Sequence, residues 1–153
     1  MKLYLVRHGE SKTEQEDLSK PLTDKGRQDI SHLGRTLKNM NVLVPRIIHS
    51  GKLRAEETAK ILADTLETPV VVEESAGLAP NDDISPTLEL VHAEEENLMI
   101  VGHLPFLAKL LGALVKISDP EELPTFDSGN LVGVERIGDS WQIFRHIGPH
   151  MIL

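Results

Sequence analysis

The chain has 153 residues and a mass of 17.0 kDa, a length that suits one domain over residues 1–153. Its 24 acidic residues against 16 basic ones give a formal net charge of -8, which argues against nucleic acid or an anionic membrane as partner. It holds no cysteine, which removes disulfides, thiolate metal sites and cysteine nucleophiles together, and its 3% aromatic content leaves little for base stacking.

In chain order, Leu3 to Val6 is a short apolar run that predicts a buried strand. A polar stretch from Glu10 to Lys20 follows. Thr23 reads as a helix N-cap, with Ile30, Leu33, Leu37 and Met40 at helical spacing and Asn41 as the stop. Arg46 to His49 is a second strand. Ser50 is positioned to cap a helix that carries Leu53, Ala55, Ala59, Leu62 and Leu66. Val70 to Val72 is a third strand, and residues 75–83, with Gly77 and Pro80, read as a loop. Ser85-Pro86 predicts a cap and first helical residue, with a helix to about Glu95. Leu98 to Val101 is a fourth strand, followed by a helix from about Pro105 to Val115. Residues 119–128 read as a loop. Leu131 to Ile137 and Trp141 to Ile147 are strands joined by the turn Gly138-Asp139.

Strand and helix alternate four times before the final hairpin. That order predicts an α/β fold of three layers, α/β/α, with a mostly parallel central sheet and an antiparallel edge strand. No apolar run is long enough for a bilayer, and the start lacks the pattern of a signal peptide, so a cytoplasmic protein is expected.

Open parallel sheets bind ligands beyond the carboxyl ends of their strands. Arg7-His8-Gly9 follows the first strand, Ser50-Gly51-Lys52-Leu53-Arg54 the second, and Gly102-His103 the fourth. Two guanidinium groups can grip the oxygens of a phosphate through paired hydrogen bonds. A neutral imidazole among them is a nucleophile, and a second imidazole, if protonated, would stabilise the equatorial oxygens. Such chemistry needs no metal. His146 and His150 lack a third ligand at useful spacing, so no metal site is expected there.

These pieces resemble a known family. Leu5-Val6-Arg7-His8-Gly9-Glu10-Ser11, Pro21-Leu22-Thr23-Asp24-Lys25-Gly26, the run from His49 to Ala59 and Val101-Gly102-His103 are similar, in order, to the histidine phosphatase superfamily. That superfamily shares its fold with the cofactor-dependent phosphoglycerate mutases. The resemblance implies a phosphoglycerate mutase-like fold, His8 as the phosphorylated nucleophile, Arg7 and Arg54 as phosphoryl ligands, and His103 as the second pocket histidine. It implies no cofactor.

Only about a dozen residues separate the third strand from the next helix, so no helical lid insertion is expected. The chain is therefore most similar to the small SixA-type phosphohistidine phosphatases. Glu14 stands where the mutases carry an asparagine, and no family-type acid is obvious near the short loop. Asp82, Asp83, Asp17 and Glu10 are candidates for the acid or base, and each has the alternative of a turn or surface role. A weak acid suits P–N better than P–O cleavage, because an alkoxide needs a proton donor. The expected activity is a metal-independent phosphatase acting on phosphohistidine in a signalling protein. The alternatives are a small-molecule phosphomonoesterase and a phosphate-binding module without turnover.

Overall fold

In the computed structural model, which describes residues 1–151, six strands form one sheet in the order β3-β2-β4-β1-β5-β6. The strands are β1 (Lys2–Arg7), β2 (Arg46–His49), β3 (Val71–Glu74), β4 (Leu98–Gly102), β5 (Leu131–Ile137) and β6 (Ser140–Ile147). β1 to β4 are mutually parallel, while β5 runs antiparallel to β1 and β6 antiparallel to β5. The helices are α1 (Asp24–Asn39), α2 (Leu53–Leu66), α3 (Ser85–Ala93) and α4 (Phe106–Val115).

The strand period of two divides the core. Leu3 and Leu5 of β1 join Leu98 and Ile100 of β4 under Phe106, Leu107, Leu110 and Leu114 of α4. Tyr4 and Val6 point the other way, with Ile47, Met99 and Val101, under Ile30, Leu33 and Leu37 of α1 and Ala59 and Leu62 of α2. Both faces of the central strands are covered, which is why they read as continuous apolar runs. Each face carries helices, so the three layers expected from the alternation are present.

Boundaries moved where side chains had other partners. Thr23 caps α1 as expected, its hydroxyl accepting from the Gly26 N–H at 2.9 Å. Ser50 does not cap α2. Lys52 occupies that position, because the Ser50 hydroxyl is engaged by a histidine described below. Ser85 lies inside α3, with Ile84 at the cap, and the helix ends at Ala93 rather than about Glu95. β3 is shifted to Val71–Glu74. Asn41 lies beyond the Met40 cap in the left-handed region, at φ 58°.

Residues 75–84, between β3 and α3, form turns without a helix. The carboxyl ends of β1, β2 and β4 therefore open on one uncovered edge. No helix among the described residues is long and apolar enough to cross a membrane.

Candidate active site

The segment after β1 is tied down on three sides. The His8 N–H donates to Gly102 O at 3.0 Å, and the Gly129 N–H donates to both Arg7 O and His8 O at 3.1 Å. The Gly9 N–H donates to Thr58 Oγ1 at 3.1 Å, and that hydroxyl donates to Arg54 O at 2.7 Å. Thr58 thus joins the His8 loop to the first turn of α2. Gly9 has no room for a side chain: a Cβ would stand 2.8 Å from Ile30 Cγ1 and 3.1 Å from Gly26 O.

His8 and His103 face one another with ring centroids 5.0 Å apart. Their exposures are 9% and 2%. His8 Nδ1 lies 2.7 Å from Gly9 O. A carbonyl only accepts, so Nδ1 carries the proton and Nε2 keeps its lone pair. Burial pulls the His8 imidazole down to about 4, against the hydrogen bond to Gly9, and the charges of Arg54, Arg7 and Lys20 push the same way. His8 is therefore neutral at physiological pH.

His103 Nε2 lies 2.6 Å from Ser50 Oγ. Ser50 Oγ also accepts from the Lys52 N–H at 3.3 Å, which leaves its proton and one lone pair to face Nε2. Where the hydroxyl donates, the ring proton of His103 resides on Nδ1, the tautomer in which the ring can donate to a ligand. Burial, with the neighbouring His8, Arg54, Lys52 and Arg7, lowers His103 to about 3. In the free protein it is thus neutral, rather than the protonated ring considered from sequence. Among the described residues, the charges that act on the two rings come from basic side chains.

Arg7 Nη1 donates to Phe126 O at 2.8 Å, which fixes the guanidinium. Arg54 is half-buried, and burial lowers its ordinary value. Among the described residues neither arginine is ion-paired. Glu57, a possible partner of Arg54, pairs with Arg27 at 2.8 Å instead. The buried side-chain polar atoms left without a partner, among the described residues, are Arg7 Nε and His103 Nδ1. Arg7 Nε is a donor, and so is His103 Nδ1 in the tautomer set by a donating Ser50; buried donors are rarely left unmatched unless a ligand supplies the acceptor.

The four candidate acids have local partners. The Asp82 carboxylate accepts from the Ala79 N–H at 2.9 Å. Asp83 accepts from the Ser85 N–H and hydroxyl, both at 3.0 Å. Asp17 accepts from the Ser19 N–H at 2.9 Å and its hydroxyl at 2.7 Å, which lowers its carboxyl. Glu10 accepts from Thr23 Oγ1 at 2.7 Å. The structure brings the two arginines and two histidines together; Asp17, Asp82 and Asp83 have partners in their own loops, and Glu10 has one at the cap of α1. Ser50, Thr58 and the Phe126 carbonyl complete the arrangement.

His49 is buried and its Nδ1 accepts from the Gly51 N–H at 3.0 Å. His146 Nε2 contacts Thr125 O, and His150 pairs with Asp29, each at 3.0 Å. Among the described residues no group of three or more His, Asp and Glu side chains is arranged to hold a metal ion.

Known proteins share the sequence pattern and the fold of this chain. The sequence pattern of the histidine phosphatase superfamily (branch 1) matches residues 3–77. The phosphohistidine phosphatase SixA of Escherichia coli K12 is 30% identical over 129 residues, covering 81% of this chain and 78% of that protein. The solved structure of the protein histidine phosphatase SixA complexed with tungstate superposes with a TM-score of 0.87, at 24% identity and 97% coverage of both chains. A mycobacterial glucosyl-3-phosphoglycerate phosphatase shares the fold, with a TM-score of 0.71, 18% identity, and 93% of this chain and 96% of that one covered.

Proposed function

Because the chain belongs to the histidine phosphatase superfamily and is a phosphatase of that type, we propose that it hydrolyses phosphohistidine on a protein, through His8 and without a metal ion. The observation that carries this reading is the pair of orphaned buried donors, Arg7 Nε and His103 Nδ1, beside the free Nε2 of His8. A phosphoryl group would supply the acceptors that both donors lack. Arg54, without a carboxylate partner, would add a further cationic contact.

In the first step His8 Nε2 attacks phosphorus in line, forming a P–N bond to His8 as the P–N bond of the substrate breaks. The departing imidazole takes the bonding electron pair. If its other ring nitrogen is already protonated, it leaves neutral and needs no proton from the enzyme. In the second step water attacks phosphorus, releases inorganic phosphate and gives its proton to solvent. His8 returns to its neutral form. Arg7, Arg54 and the Nδ1–H of His103 stabilise the equatorial oxygens in both steps. An incoming phosphate dianion favours the charged form of His103, which strengthens its hydrogen bond to the phosphoryl group, while His8 must stay neutral to keep its lone pair for phosphorus.

None of the four candidate carboxylates is among the groups acting on the two rings, which supports P–N over P–O cleavage, since an alkoxide leaving group needs a proton donor. Residues 1–153 act in this reading as one domain, supported by a sheet that draws strands from Lys2 through to Ile147.

The test compares a phosphohistidine protein with an alkyl phosphomonoester, β-glycerophosphate, using wild type and His8→Ala. Wild type is expected to favour the phosphohistidine by at least about 100-fold in kcat/KM, and His8→Ala to lose about 1000-fold or more. A preference for the monoester would assign the site to small phosphorylated substrates instead. Unchanged turnover by His8→Ala would remove the mechanism altogether.

A further inference from the structure

Beside the phosphoryl site a cavity of about 310 Å³ opens at the start of α2. Lys20, Lys52 and Arg54 line it with Leu18, Leu53 and a single carboxylate, Glu14. Lys25, Arg27, Lys38, Arg46 and Lys60 all have carboxylate partners. Among the described residues Lys20 and Lys52 have none, although acidic residues outnumber basic ones by 24 to 16 in the chain. Three cations thus stand together around one carboxylate, and among the described residues none of them is in an ion pair.

Position adds to charge. Lys20 acts electrostatically on His8, and Lys52 on His103, so both stand alongside the phosphoryl pocket. The Lys20 N–H donates to Asp17 O at 3.0 Å, and its backbone takes the left-handed conformation at φ 51°. The loop therefore holds this lysine in a defined place. Lys52 begins α2 without a side-chain cap, so the positive end of a 14-residue helix faces the same opening. Leu18 is 88% exposed and Leu53 37%, which gives the charged opening an apolar flank suited to a polypeptide.

We propose that Lys20 and Lys52 form a second anion subsite, which selects protein substrates carrying an acidic side chain next to the phosphohistidine. The subsite rests on the phosphohistidine reading given above. The acidic surface elsewhere repels such a substrate, and the local positive patch turns its acidic flank toward the site.

Two phosphohistidine peptides, with Glu or Gln beside the modified residue, provide the test. Wild type is expected to prefer the Glu peptide roughly fivefold in kcat/KM. In the Lys20→Gln, Lys52→Gln double variant the ratio should fall below about twofold. Taking the ratio within one enzyme cancels any general change in the phosphoryl pocket. The same ratio is read from dissociation constants with His8→Ala. Absence of a preference in wild type, or its survival in the double variant, would overturn the subsite. A binding preference without any wild-type turnover would sink the phosphatase reading and leave the subsite standing.

Discussion

Ser50 is the side chain that meets the Nε2 of His103. Its hydroxyl accepts from the Lys52 N–H and stands 2.6 Å from Nε2, where donating its proton holds the ring's own proton on Nδ1. In Ser50→Ala the imidazole loses the group that fixes its tautomer, and Nδ1 is no longer held as a donor. We expect kcat to fall about tenfold while KM changes less than about threefold, because the lost hydrogen bond matters most when charge develops on phosphorus. Ser50→Thr should recover much of the loss; if KM rose with kcat unchanged, Ser50 would only shape the binding pocket. Thr58 acts at the same scale on stability. In Thr58→Val the shape is kept, but the buried Gly9 N–H loses its acceptor. Urea unfolding should show a loss of about 1–3 kcal/mol, and a loss under about 0.5 kcal/mol would mean that the Gly9 N–H finds another partner.

Elements were legible where the burial pattern was simple and obscured where tertiary contacts redirected a side chain. The apolar runs of β1, β2 and β4 and the spacing of Ile30, Leu33 and Leu37 mark their elements because the core takes those side chains whole. Ser50 looked like a cap because a serine before a helix usually is one, and no local pattern shows a histidine 53 residues away. Arg7, His8, Arg54 and His103 were legible because strand ends collect at one edge. The local engagement of Asp17 and Asp83 had a signal in Asp-Leu-Ser and Asp-Ile-Ser, where the carboxylate meets the serine two residues on. Thr58 also left a trace, one helical turn after Arg54. Phe126 left none, since its contribution is a backbone carbonyl. Where α1 crosses α2, Gly34 has the same kind of hidden requirement. A Cβ there would stand 1.7 Å from Thr65 Oγ1 and 2.7 Å from Thr65 Cβ. The hydroxyl can rotate away, but Cβ cannot, so the helices must separate. Gly34→Ala should therefore cost about 1–3 kcal/mol despite alanine's better helix propensity, and Thr65→Gly should relieve most of it in a double-mutant cycle. Additive losses would show that the two positions do not share the crossing.

Across the whole molecule the charge of -8 and the cationic pocket belong to one electrostatic arrangement. Carboxylates elsewhere hold Arg27, Lys60 and Arg46, while the phosphoryl site leaves Arg7 and Arg54 to act on the two buried imidazoles. Those cations and the burial keep His8 neutral, and this has a consequence for folding. In an unfolded chain a histidine takes its proton near pH 6.5, whereas native His8 does so only near 4. Between those values the unfolded chain binds a proton that the native protein refuses, so unfolding gains ground as pH falls. The contribution is complete above about pH 6.5 and is lost progressively down to about 4. From pH 7 to pH 5 His8 alone accounts for about 2 kcal/mol. His103, also lowered, acts in the same direction. Urea midpoints measured at both pH values for wild type and His8→Asn isolate the effect, since other groups titrate alike in the two proteins. Wild type should lose more stability than the variant over this interval. Equal losses would mean that native His8 takes its proton as readily as an exposed histidine, and the neutral nucleophile would lose its physical basis.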